Sequence, residues 1–138
     1  MLLHASCVAL GGRGVLLEGP SGSGKSDLAL RLIDGGARLV ADDQVEIVAR
    51  DGVLHAHAPE PLAGLIEARG QGLFRLDPEG EVPLALSVTL ARPADRLPAP
   101  VVRTLLGVDL PAVTIDPFEA SAAARLRLVL SGPPAHTG

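Results

Sequence analysis

The eight residues Gly19-Pro-Ser-Gly-Ser-Gly-Lys25-Ser26 complete the GxxxxGK[ST] phosphate-loop pattern. Glycines let consecutive backbone N–H groups turn inward around phosphate. Lys25 brings a mobile positive charge to the outer phosphates, and Ser26 offers a hydroxyl to Mg2+ at the start of a helix. Gly19, Pro20, Ser21, Gly22, Ser23, Gly24, Lys25 and Ser26 are therefore the candidate nucleotide-binding residues. A glycine linker could carry the same letters, but it would not explain an apolar strand before them and an amphipathic helix after them.

Other residues could join that chemistry. Asp42-Asp43 follows a short apolar run, where a carboxylate can reach Mg2+ or an attacking hydroxyl beside a nucleotide, although an ordinary turn pair looks the same. His4, taken alone, is an unremarkable strand or surface histidine. His55 and His57 have same-face spacing on a strand but no evident third ligand, so the solvated edge of a hairpin is the better reading. Glu67 and Arg69 flank an apolar segment and a glycine loop, and each alone reads as solvated.

The elements that must position these groups follow from the pattern of apolar residues. Leu2 to Leu10 and Gly14 to Glu18 read as strands. Ser26 to Ile33 reads as a helix, with Leu28, Leu32 and Ile33 on one side and Gly35-Gly36 as its stop. Arg38 to Ala41 is a buried strand ending at the acidic pair. Val45 to Val48 and Val53-Leu54 bracket Asp51-Gly52, a hairpin turn. Beyond Pro59 and Pro61 the signals weaken. Leu62 to Glu67 and Leu73 to Leu76 are short elements around a flexible loop, Leu84 to Leu90 is a strand, and Arg92 to Pro100 is a proline-rich surface loop. Val113 to Ile115 suggests one more strand and the Ala-rich Phe118 to Leu130 a closing helix, whose Leu/Val-rich second half could instead be extended. This is an α/β domain with a mixed sheet over residues 1–130, followed by a flexible tail at 131–138.

Composition bounds the function. The 138 residues supply about one domain. With 47% apolar residues, 16 Gly and 12 Pro, global disorder is excluded. A net charge of -4, no Trp or Tyr and only two Phe leave no footprint for nucleic-acid binding. The single Cys7 forms no internal disulfide and fits a reducing compartment, and no apolar run reaches the length of a membrane span. The expected setting is cytoplasmic, without a membrane.

Taken in order, His4-Ala-Ser-Cys-Val8, the phosphate loop, Arg38-Leu-Val-Ala-Asp-Asp-Gln-Val45 and Ile66-Glu-Ala-Arg-Gly-Gln-Gly72 resemble the catalytic domain of HPr kinase/phosphorylase. Members of that family act on a serine of the bacterial phosphocarrier protein HPr. Leu105-Leu-Gly-Val-Asp-Leu-Pro111 extends the likeness to about Ile115. The phosphate loop is shared by many families; the ordered set is far more specific. The resemblance implies a P-loop kinase domain using ATP and Mg2+, with HPr as partner and a homo-oligomer, a hexamer in the family. It implies that His4 supports the catalytic carboxylate, Asp43 takes the proton from the target serine, and Lys25 grips the phosphates. Ser26 and Glu67 would attend Mg2+, and Arg96 matches an active-site arginine. Asp42 would be a helper to Asp43, a division that these residues leave open.

Two departures qualify what is carried over. Family members resemble a two-domain protein, whereas this sequence begins essentially at His4, like the short forms of alphaproteobacteria, so no N-terminal regulatory domain is expected. Where the family has a Pro-x-x-Pro-Gly-Arg-Asn-like segment linked to phosphorolysis and to engaging HPr, this chain has Asp116-Pro-Phe-Glu-Ala120. That counts against the reverse reaction. The leading expectation is thus a serine kinase acting on HPr. The alternatives are a kinase for another protein or a small molecule, and a nucleotide-binding regulatory module without transfer.

Overall fold

The computed structural model describes residues 1–93 and 101–132. Eleven strands occur among them: β1 (Leu2–Leu3), β2 (Ser6–Leu10), β3 (Arg13–Glu18), β4 (Arg38–Ala41), β5 (Val45–Arg50), β6 (Val53–His57), β7 (Leu65–Ala68), β8 (Gly72–Arg75), β9 (Val82–Leu90), β10 (Val101–Leu105) and β11 (Val108–Ile115). Two helices, α1 (Lys25–Asp34) and α2 (Ala122–Ser131), complete the set with a 3-10 turn at Glu60–Leu62.

The centre of the main sheet is parallel. β9 runs parallel to β3 on one edge and parallel to β11 on the other, while β6 pairs antiparallel with its first residues, Val82 and Pro83. From there the order β1-β5-β6-β9-β3-β2-β4 is set by antiparallel additions, and β10 extends β11. The sheet is therefore mixed, as expected. β7 and β8 form a separate antiparallel ribbon.

Both faces of the sheet are covered, and the alternation along β3 shows why. Val15 and Leu17 join Val8, Val88 and Ile115 against Leu28 and Leu32 of α1 and Leu126 of α2. Leu16, between them, joins Cys7, Val40, Ile47, Leu54 and Leu110 in a second core on the opposite face. A strand buried on both faces reads as a continuous apolar run, which is how Gly14 to Glu18 looks in the sequence.

Several elements differ from the sequence expectation. Leu2 to Leu10 is two strands, because the chain breaks at His4-Ala5, where the Ala5 N–H donates to the Asp43 carbonyl at 3.1 Å. β11 begins at Val108 and pairs with an unexpected β10 through Leu106-Gly107, whose φ values of 49° and 76° make the tight hairpin turn. The last helix starts at Ala122, not Phe118. Pro117 precedes Phe118, and the Phe118 N–H donates to the Asp116 side chain at 3.0 Å, so this stretch turns before it can coil. α2 takes in Ser131, the first residue of the expected tail. Residues 94–100, which carry Arg96 and most of the expected loop Arg92 to Pro100, and residues 133–138 lie outside the described residues.

Candidate functional site

The phosphate loop joins the C-terminal end of β3 to the first turn of α1. Two glycines are required by its geometry. A Cβ on Gly19 would meet the Ser23 Oγ at 2.6 Å, and Gly24 caps α1 in the left-handed region at φ 95°. Inside the turn, the Ser23 N–H donates to the Pro20 carbonyl at 3.0 Å, while the Ser23 hydroxyl is buried without a partner among the described residues. The Lys25 ammonium donates to the carbonyls of Gly19 at 2.6 Å and Pro20 at 3.1 Å, which folds the cation over the loop. A tight, N–H-rich turn with a buried cation and an orphaned hydroxyl fits the phosphates of a nucleotide.

Asp42 lies beneath that loop. Its carboxylate accepts from the Ser6 hydroxyl at 2.7 Å, from the Ser26 hydroxyl at 2.8 and 3.0 Å, and from the Glu67 N–H at 3.2 Å. One buried side chain thus ties together β2, α1 and β7. The hydroxyl of Ser26 beside a carboxylate, with Glu67 lining the same cleft, is an all-oxygen donor set suited to a hard divalent cation.

Asp43 points elsewhere. It is the centre of a three-residue turn closed by the Gln44 N–H on the Asp42 carbonyl at 2.9 Å, and its φ of 71° is uncommon for a residue with a Cβ. The turn reverses the side chain relative to Asp42 and brings its Oδ1 to 2.8 Å from His4 Nε2. Both side chains are more than half exposed.

A cleft of about 480 Å³ collects these groups. His4, Ser6, Asp43 and Glu67 line it together with Ser21, Gly22, Gly24, Lys25 and Ser26 of the loop. Arg69 reaches it as well. The expected site residues His4, Lys25, Ser26, Asp42, Asp43 and Glu67 therefore stand together, whereas Arg96 falls outside the described residues. His55 and His57 stand away from the cleft on β6, with Nδ1 atoms 3.6 and 3.8 Å from the Glu81 carboxylate.

Several residues in or beside the cleft escaped the sequence reading. Ser6 is a lone hydroxyl in the otherwise apolar β2, and that interruption was its only signal. Phe118 lines the cleft from the turn after β11. Glu18, the residue before the loop, receives Arg103 of β10 through two bonds of 3.0 and 2.9 Å and the Ser87 hydroxyl at 3.2 Å. The hydrogen bond to Glu18 pushes the Arg103 guanidinium above its ordinary range, against a smaller opposing effect of burial.

Comparison with known proteins agrees with this geometry. The family model for the HPr serine kinase C-terminal domain matches residues 1–78. The HPr kinase/phosphorylase of Clostridium kluyveri is 48% identical over 72 residues, 52% of this chain and 23% of that protein. That of Limosilactobacillus reuteri is 49% identical over 73 residues, again 52% of this chain and 23% of the relative. The match thus spans about a quarter of the length of these curated relatives. Among solved structures, the Hpr(Ser) kinase/phosphatase from Coxiella burnetii is similar with a TM-score of 0.79 and 28% identity, over 96% of this chain and 99% of that one.

Proposed function

Because the chain belongs to the HPr serine kinase C-terminal domain family, we propose that it transfers a phosphoryl group from ATP, with Mg2+, to a serine hydroxyl of an HPr-like carrier. The observation that carries the reading is the His4 to Asp43 pair at 2.8 Å in the same cleft as the Lys25-Ser26 end of the phosphate loop.

A serine hydroxyl is a poor nucleophile at neutral pH, so a carboxylate with an open lone pair must take its proton as the new O–P bond forms. Asp43 does this, and His4 holds its other oxygen in place. Lys25 leaves the carbonyls of Gly19 and Pro20 to offset charge on the outer phosphates. Ser26 and Glu67, oriented through Asp42, would hold Mg2+, which supplies charge neutralisation at the phosphates when bound. Asp116-Pro-Phe-Glu-Ala120, in place of a glycine-arginine-asparagine segment, supports forward transfer over phosphorolysis. Assembly into a hexamer belongs to the same proposal, and light scattering tests it.

The deciding experiment is transfer of label from ATP and Mg2+ to purified HPr, with an HPr whose target serine is alanine as control. Label on intact HPr alone is expected. Its absence, with ATP bound and HPr folded, would turn the reading toward another acceptor or a nucleotide-responsive regulator.

A further inference from the structure

One wall of the cleft has no part in holding phosphate or moving a proton. Phe118 stands there, 79% exposed and one of only two aromatic residues in the chain. Leu30, partly exposed on α1, lines the same wall. Scattered exposed apolar residues are ordinary, but the backbone that carries this one is held in a set position. Its N–H donates to Asp116 Oδ1 at 3.0 Å. The Arg31 guanidinium donates to the Pro117 carbonyl before it and to the Glu119 carbonyl after it, the latter at 3.3 Å. Arg31 is itself paired with Asp27 at 3.2 Å, one turn back on α1.

The position is also the right one for a ligand that continues beyond the phosphates. β3 and β11 both run parallel to β9, so the phosphate loop after β3 and the turn after β11 emerge at the same end of the sheet, where ligands of parallel α/β sheets bind. A Cβ on Gly24 would lie 3.4 Å from the Pro117 ring and 3.7 Å from Phe118 Cε1. The aromatic ring thus stands beside the last glycine of the phosphate loop, in the space a Cβ there would touch.

We propose that Phe118, backed by Leu30, is the platform on which the base of the bound nucleotide stacks, a reading that rests on the nucleotide chemistry proposed above. Stacking uses the face that every base has. Phe118 and Leu30 offer no side-chain donor or acceptor, and Asp27 faces the Arg31 Nε through its Oδ2 at 3.2 Å. The two platform side chains themselves therefore carry no group that tells adenine from guanine.

The chain has no tryptophan, so Phe118→Trp introduces a single fluorophore at the platform. ATP and GTP, each with Mg2+, should both change its emission saturably, whereas tripolyphosphate, binding the loop alone, should leave it nearly unchanged. In the Phe118→Ala protein, calorimetry should show ATP binding weakened about tenfold, with tripolyphosphate affinity preserved. Equal behaviour of ATP and tripolyphosphate in both variants would overturn the platform while leaving the phosphate loop intact. So would a Phe118→Ala defect confined to the KM for the acceptor, which would make the ring a protein-docking residue. If the wild-type protein bound neither ligand, the nucleotide reading itself would fall, and the platform with it.

Discussion

Asp42 and Asp43 are neighbours in the chain, yet the regions around them are built in opposite ways. Asp42 is 7% exposed, and its two oxygens take donors from Ser6, Ser26 and the Glu67 backbone. An ionised carboxylate has about four acceptor sites, and these donors nearly exhaust them. The Asp43 side chain is 68% exposed and, among the described residues, makes one side-chain hydrogen bond, to His4. A saturated, buried carboxylate holds other groups in place. An accessible one with free lone pairs can receive a proton. The contrast thus supports the division of labour in the proposed function, which the bare Asp-Asp pair left open.

The largest expected effect tests that division directly. Asp43→Asn keeps the size and the turn but removes the basic lone pair, so phosphoryl transfer should fall about 10²- to 10⁴-fold, the usual range for a general base. Nucleotide affinity and the unfolding midpoint should hardly change, because the side chain supports no core contact. Normal turnover by a folded, ATP-binding Asp43→Asn protein would end the assignment.

Asp42 should respond in the reverse manner. Asp42→Ala leaves the Ser6 hydroxyl, the Ser26 hydroxyl and the Glu67 N–H without their acceptor, a loss of about 2 to 4 kcal/mol of stability on the scale of unsatisfied buried donors. Urea unfolding should show the change, together with a higher Mg2+ requirement for transfer. Asp42→Asn, which retains one oxygen, should recover part of the stability without recovering the metal dependence. If Asp42→Ala unfolded like the wild type, the buried knot would not be structural.

His4 belongs to the exposed region and should act through Asp43. His4→Ala should lower kcat by about ten- to a hundredfold, the scale of one hydrogen bond to a charged group, with little change in the KM for ATP. His4→Gln still offers a side-chain donor and should restore part of the rate. A purely structural His4 would give the same midpoint shift in both variants and no difference in kcat.

The same contrast explains what could be read from the sequence. The phosphate loop, α1 and the strand ending in Asp42-Asp43 were legible because each rests on a local rule: glycines for a tight turn, a helical apolar stripe, an apolar run. The meeting of His4 with Asp43 was not local. It depends on a chain break at His4-Ala5 and on an Asp43 φ of 71°, neither of which leaves a mark on composition. It entered only through the family resemblance. β10 was missed because Val101 to Leu105 has no apolar alternation of its own and pairs only once β11 exists. Phe118 reads as a helix start because the Ala-rich stretch after it outweighs the Asp116-Pro117 turn signal, which the Asp116 carboxylate completes by accepting from the Phe118 N–H.

The smallest effect on activity concerns Cys7, which follows Ser6 in β2 but faces the core on the other side of the sheet from Asp42, and so shows whether that side is closed. The thiol is buried, and burial pushes its pKa from 9.0 up to about 12, against a weaker lowering by a backbone hydrogen bond from Val15. The folded state therefore holds the proton more tightly than the unfolded one. The resulting stability is whole below pH 9.0 and is lost as the pH rises through about 12. Unfolding free energy should decline above pH 9 by up to about 1.4 kcal/mol per pH unit from this group, and Cys7→Ala should flatten that decline while leaving transfer at pH 7.5 unchanged. At pH 8 a thiol reagent should modify the native protein far more slowly than the urea-unfolded chain, since the reactive thiolate forms only on opening. Equal rates would mean that solvent reaches Cys7, and the closed core on the face of the sheet away from α1 would have to be abandoned.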